Sequence, residues 1–357
     1  MNNYEIRYVF DIGSGTTKSM SCLVDKTSGQ LLAVLDQISI SVPYQKYINN
    51  SADGKTLSAE AMQQGYTALN KIIQYYGIDP TQASIKCAGI ATAWARNANN
   101  ASDYLDYIKD ELGLNVEIVS QKYEGELGIK AVLANPACPV PDQNKMLVWD
   151  IGGGSFQLTY LDDSDNIQVY NGAYGSSNFA KVVRDAVLAP QDELMSQAQM
   201  LDALDVGRML ISQPLKAFVD IATLQSNASS YVYAIGQFMN SGIQPMVQQA
   251  TISQAELYDI MLDYSTHSLD ELSVLYPEIR PEFLIPQQTN LILAYNIMEA
   301  LGMEQLHFTS NATSLNAIAV DDKLWDDAGF ADIWEVAQDT LYPGQLAIHG
   351  TYSLLAG

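Results

Sequence analysis

A chain of 357 residues, 48% hydrophobic and 17% charged, is long enough for two folded domains, each with its own core. Its 18 Lys and Arg stand against 41 Asp and Glu, a net charge of −23 that repels DNA, RNA and anionic membrane surfaces at long range. No run approaches about 18 apolar residues, so no membrane span is expected; the three scattered cysteines and three scattered histidines suggest no disulfide framework, zinc site or Ser/His/Asp hydrolase.

Residues 4–12 form an apolar run ending in Asp-Ile-Gly, 18–25 are apolar again, and 31–42 alternate before turning apolar. Three strands joined by short glycine-bearing turns are expected. No basic-then-apolar leader precedes them, so no signal peptide is expected and the setting is read as cytoplasmic. Residues 56–76 carry helical spacing, with Ala61, Met62, Gly65, Leu69, Ile72 and Ile73 on one side and Gly77 and Pro80 as the stop. A strand at 85–92 follows, then a helix at 102–112 with Ser102 as N-cap and Gly113 as stop. A strand at 116–120 and a helix at 123–133 complete this half. The loop 135–144 holds three prolines and marks the boundary between domains expected at 1–138 and 145–357.

The next strand, 146–151, ends in the same Asp-Ile-Gly, and strands at 157–161 and 168–170 flank an Asp-Asp-Ser-Asp-Asn turn. A strand-turn-strand-turn-strand unit therefore repeats, Asp150 lying 139 residues after Asp11. Helices at 178–188, 192–210, 254–266 and 288–301 dominate the rest, with strands at 231–236 and 305–310. The acidic, aromatic tail 321–357 takes no assignment.

The repeated turns read VFDIGSGTT at 9–17 and VWDIGGGSF at 148–156. Each strand delivers an aspartate at its carboxyl end. The glycines then allow positive φ and close backbone approach, while hydroxyls and successive N–H groups point into one concavity that suits phosphate oxygens. The aspartate suits a divalent metal such as Mg²⁺, directly or through water. A lone Asp-x-Gly is an ordinary tight turn; two in matched contexts predict a phosphate or nucleotide site between two α/β halves.

This pattern resembles the actin-like ATPase superfamily. Within it the chain resembles the exopolyphosphatase and guanosine pentaphosphate phosphatase (Ppx/GppA) family. Four blocks in order carry the resemblance: DIGSGTTK at 11–18; GKTLSAEAMQQGYTALNKI at 54–72; IATAWARNANNASDYL at 90–105; and VSQKYEGELG at 119–128 with WDIGGGSFQL at 149–158. It is firm over 4–161 and blurred beyond. It implies an α/β fold of two actin-like (ribonuclease H-like) domains with a phosphate-binding cleft between them. The implied activity is a Mg²⁺-dependent hydrolysis of phosphoanhydrides, the substrate being polyphosphate, guanosine pentaphosphate or a nucleoside triphosphate.

The resemblance also implies roles. Glu124 falls on the catalytic glutamate that activates water, and Arg96 on an arginine that grips a terminal phosphate. Asp11 and Asp150 are expected near the metal. Gly13, Ser14, Gly15 and Thr16, with Gly152, Gly153, Gly154 and Ser155, match the phosphate loops, and Lys18 stands as a further cation. The plainer alternatives are a first-turn glutamate favoured by the helix dipole and a surface ion pair. Gln157 stands where the family keeps a glutamate. An amide can hold a catalytic water but cannot act as a base, and the related nucleoside triphosphate diphosphohydrolases also carry glutamine there. Tyr123-Glu124-Gly125-Glu126 replaces the usual Glu-Glu-Ala-Arg, which leaves Glu124 as the single candidate and removes a cation. The turn at 233–242 keeps only one early glycine. A sensor or scaffold without turnover stays open as the alternative, as does a homodimer; a sugar or acetate kinase lacks an acceptor site here.

Overall fold

The computed structural model describes residues 3–325 apart from 83, 134, 136–144, 163, 190, 191, 310 and 311. The expected boundary loop and most of the acidic tail lie outside the described residues.

Five strands make the first sheet: β1 (Tyr4–Ile12), β2 (Thr16–Asp25), β3 (Leu31–Ser41), β4 (Lys86–Ala91) and β5 (Val116–Ile118), in the order β3-β2-β1-β4-β5. Six make the second: β6 (Met146–Ile151), β7 (Phe156–Leu161), β8 (Ile167–Gly172), β9 (Tyr231–Ile235), β10 (Thr251–Ser253) and β11 (Gln305–Phe308), in the order β10-β11-β9-β6-β7-β8. In each sheet an antiparallel meander of three strands leads into parallel strands on the far side of the first. The repeat seen in the sequence is thus a repeat of topology. β10, at the second sheet's edge, has no counterpart in the first.

Three apolar clusters hold the molecule together. One lies between the first sheet and the helices Ala59–Tyr76 and Ala101–Leu112. A second packs the other sheet against helices that include Ser176–Val187, Gln197–Gly207 and Pro281–Leu301. The third joins both sheets through the helices Gln121–Leu133 and Ser314–Val320. These two helices cross over. Gln121–Leu133 belongs to the first half of the chain yet packs on β6, β7 and β8, and side chains added at Gly125 would strike Thr159 and Val169. Ser314–Val320 packs on β1 and β2, and Arg7 on β1 donates to the Ala319 carbonyl at 2.6 Å.

Several boundaries differ from the sequence reading. The helix expected at 56–76 begins at Ala59, with Ser58 capping the Ala61 amide. Ser102 is not an N-cap: the helix begins at Ala101, and Asn100 uses its side chain to bond both the amide and the carbonyl of Leu57. The long helix expected from 288 starts at Pro281, where a proline in the first turn costs no hydrogen bond. The short helix Tyr44–Asn50 carried no periodic signal and was missed.

Candidate active site

The two glycine turns close in the same way. Gly13 N donates to Thr16 O at 3.0 Å, and Gly152 N donates to Ser155 O at 2.9 Å. The strands that enter and leave them pair Asp11 with Lys18 and Asp150 with Gln157, so that Asp150 stands 139 residues after Asp11 and Gln157 139 residues after Lys18. Gln157 therefore occupies, in the second copy, the place that Lys18 occupies in the first.

Both turns are tied from behind. The carbonyls of Ser14 and Gly15 accept from the amides of Gln45 (3.0 Å) and Val42 (3.1 Å). Those of Gly152 and Gly153 accept from Ser176 N (2.9 Å) and Ser177 N (2.8 Å), at the start of the helix Ser176–Val187. Asn178 Nδ2 takes the Gly154 carbonyl at 2.9 Å. With their carbonyls occupied, the turns offer an anion their N–H groups and hydroxyls. The turns also abut. A Cβ on Gly153 would lie 2.9 Å from Ser14 Cβ, and one on Gly154 would lie 2.9 Å from Ala93 Cβ. Glycine is required there because side chains of the first half press directly on the backbone of the second turn.

Three carboxylates gather at this meeting point. Asp11 is buried, accepts from the Ser314 hydroxyl and sits 3.5 Å from Lys18 Nζ. Asp150 lies over Gly236, whose φ of +88° and missing Cβ leave room for the carboxylate; a Cβ there would fall 2.6 Å from Asp150 Oδ1. Glu124 stands in the first turn of the helix Gln121–Leu133, started by Ser120 Oγ accepting from Tyr123 N at 3.1 Å. The dipole reading of Glu124 is thus correct as far as it goes, yet this carboxylate also faces the cleft and keeps 14% exposure.

Arg96 connects these parts. It pairs with Glu124, donates through Nη1 to Val119 O at 2.7 Å, and reaches Ser155 Oγ from Nη2 at 3.4 Å. The guanidinium is fixed beside the glutamate and the second turn rather than held free for a phosphate. Gln157 is 1% exposed and donates to Ser155 Oγ at 3.2 Å.

Burial pushes the Glu124 carboxyl above its ordinary range; Arg96 opposes this, and the nearby Asp11 charge adds to it. Burial likewise pushes Asp150 up to about 7, against the pull of Lys18 and with Glu124 and Asp11 adding. The three carboxylates thus feel one another, with Lys18 among them. Among the described residues no three acidic, His or Cys side chains form a ready-made metal cage. Mg²⁺ needs no such cage, since one or two carboxylates and retained waters suffice. A carboxylate held up to about 7 by burial and like charge is one whose charged form a divalent cation would favour, so Asp150 fits that role, with the buried Asp11 carboxylate adding its charge to the same place.

Every site residue picked from the sequence lies on these two turns, on the strands that flank them or on the helices that face them. Sequence reasoning missed Gln45, Gly175, Ser176, Ser177 and Ser314, and read Gly236 only as the single early glycine of the turn at 233–242. The Gly-Ser-Ser-Asn run at 175–178 is a legible helix start, misplaced there by two residues. The others depend on tertiary contact alone.

A model of the Ppx/GppA phosphatase family matches residues 23–271. The chain belongs to that family. It is accordingly a hydrolase of phosphoric anhydrides. Solved structures show the same fold at low identity. A Ppx/GppA member from Aquifex aeolicus is 15% identical, covering 89% of this chain and 97% of its own, with a TM-score of 0.65. An exopolyphosphatase from Cytophaga hutchinsonii is 15% identical over 89% of this chain and 98% of its own, TM-score 0.67. An exopolyphosphatase-like protein is 15% identical over 90% and 98%, TM-score 0.71. The Ppx/GppA architecture is that of two actin-like α/β sheets facing one cleft, as found here. Among the described residues no helix is long and apolar enough to cross a membrane.

Proposed function

We propose that this Ppx/GppA chain releases phosphate from a phosphoanhydride chain by attack of water that Glu124 activates, with the phosphates held between the turns 13–16 and 152–155. The observation that carries the reading is the convergence of Glu124, Asp11 and Asp150, with Arg96 and Lys18, where the two matched turns abut. Mg²⁺ held by Asp11 and Asp150 would neutralise phosphate oxygens. Glu124 takes the proton of the attacking water, and its raised proton affinity makes it a stronger base than a free carboxylate. Arg96 keeps that carboxylate ionised and oriented, and its contact with Ser155 sets the base against the second turn. Ser14 and Ser155 supply hydroxyls, and Lys18 a charge, to the bound chain. Phosphoryl transfer asks for little more than such positioning and charge.

Polyphosphate, guanosine pentaphosphate and nucleoside triphosphates are the substrates proposed, in a cytoplasmic setting. The test is phosphate release with Mg²⁺ from each, for wild type and Glu124→Gln. The substitution should lower the rate about 10²- to 10⁴-fold, the worth of a general base. Release unchanged by it would remove Glu124 from the chemistry. The buried amide of Gln157 favours a second reading, a phosphate-sensing protein without turnover. Tight binding of all three ligands with no phosphate released from any would select it.

A further inference from the structure

Gln45 opens the short helix Tyr44–Asn50 and stands where the two turns meet. Its backbone amide holds the Ser14 carbonyl at 3.0 Å. Its side chain is only 4% exposed, so the amide is buried. Nε2 donates to Asn49 Oδ1 at 3.0 Å, one helical turn on, while Oε1 has no hydrogen-bond partner. That oxygen lies 3.0 Å from where a Cβ on Gly154 would be, and Ser14 Oγ, also buried and without a partner, lies 3.0 Å from the same point. Two unsatisfied polar atoms, one on the first turn and one on the helix that braces it, therefore converge on Gly154 of the second turn. Leaving a buried acceptor unpaired costs about 1–3 kcal/mol.

A terminal amide presents an acceptor one way round and two donors the other. Gln45 and Asn49 are both amides, so their mutual hydrogen bond survives if both rotate together. Asn49 Nδ2 then donates to Gln45 Oε1, and Gln45 Nε2 turns inward with an N–H free. The unprotonated oxygens of a phosphate chain accept hydrogen bonds and do not donate them, so the second arrangement is the one that suits such oxygens between the turns. We propose that Gln45 contributes a phosphate-binding N–H to the cleft, presented by a coupled rotation of the Gln45 and Asn49 amides. It rests on the phosphoanhydride reading above and adds a neutral donor to a cleft whose carboxylates outnumber its cations.

Asn49→Asp tests it away from the cleft. Aspartate only accepts, so it captures the Gln45 N–H and locks Oε1 inward. Gln45→Glu removes the N–H and turns an acceptor inward at the residue itself. Tripolyphosphate binding to the whole chain would be measured by calorimetry, with thermal midpoints to confirm that each variant folds. Both variants should bind about ten- to a hundredfold more weakly, the worth of one hydrogen bond to a charged oxygen, Asn49→Asp with a midpoint near wild type and Gln45→Glu with a lower one that still reports a folded chain, because its carboxylate is buried. Asn49→Gln, which keeps both amide faces, should recover most of the affinity. Wild-type binding matched by Asn49→Asp and Gln45→Glu overturns this inference alone. A wild-type chain that binds no tripolyphosphate overturns it together with the reading on which it rests.

Discussion

Asp150 and Glu124 both hold protons more tightly than free carboxyls do, and the cause is shared: burial disfavours the charge, and the Asp11 carboxylate adds to both. For Glu124 the consequence is kinetic. As the proposed base Glu124 must be ionised, so on that proposal kcat/KM should fall as pH drops through its raised pKa, and Arg96→Met should move that limb to higher pH by removing the opposing charge; a rate profile against pH checks it. For Asp150 the consequence is also thermodynamic. Its native value of about 7 lies above its unfolded one, so the native state binds more protons between the two. Metal-free protein should therefore lose stability as pH rises from about 4 to about 7. Asp150→Asn should flatten that dependence and raise the thermal midpoint at pH 8, while Mg²⁺ should raise the midpoint of wild type and not of the variant. A midpoint for wild type that climbs through this window would contradict the assignment. Cys22 and Cys87 show that burial alone need not mark function. Their thiols are pushed up to about 11 and about 12 with no site nearby, which agrees with inert thiols; Cys138 lies outside the described residues.

At the scale of elements, the second turn is shaped by the helix beneath it. Gly175 precedes the helix Ser176–Val187, and a Cβ there would stand 2.3 Å from Gly152 O and 2.5 Å from Ser155 N. Both are backbone atoms, so the turn itself must shift. Gly175→Ala should cost about 1–3 kcal/mol in urea unfolding and lower phosphate release by more than the stability loss explains. An activity loss that merely tracks unfolding would show that the turn tolerates the shift. The helices Tyr44–Asn50 and Ser176–Val187 brace one turn each from opposite halves, and they touch across the cleft. Strand periodicity and glycine placement made the turns legible in the sequence. The braces were not legible, because a seven-residue helix has too few turns to show a period.

Across the whole molecule, the crossing of the helices Gln121–Leu133 and Ser314–Val320 makes the halves interdependent. Each carries apolar residues into the cluster shared by both sheets, and Ile318 there is fully buried. Ile318→Ala should cost about 2–5 kcal/mol. Because the cluster is shared, urea unfolding followed by tryptophan fluorescence and by circular dichroism should give one coincident transition, moved as a whole by the substitution. Two separated transitions, with only one displaced, would show that the halves fold independently. A fragment of residues 1–133 should lack cooperative unfolding, since its last helix loses the sheet on which it packs.

What the sequence determined by itself was local and periodic: the strand-turn-strand repeat, the paired glycine turns, and the positions of Glu124 and Arg96 within recognisable blocks. Such features need only neighbours along the chain, and the 139-residue offset between copies persists into the register of the strands. Only the tertiary structure decided that Arg96 is engaged with Glu124 and Val119, that Gln157 takes the place of Lys18, and that Gln45, Gly236 and Ser314 belong to the site. Those facts arise from segments as far apart as Asp11 and Ser314, and periodicity along the chain does not specify contacts between residues so distant in sequence.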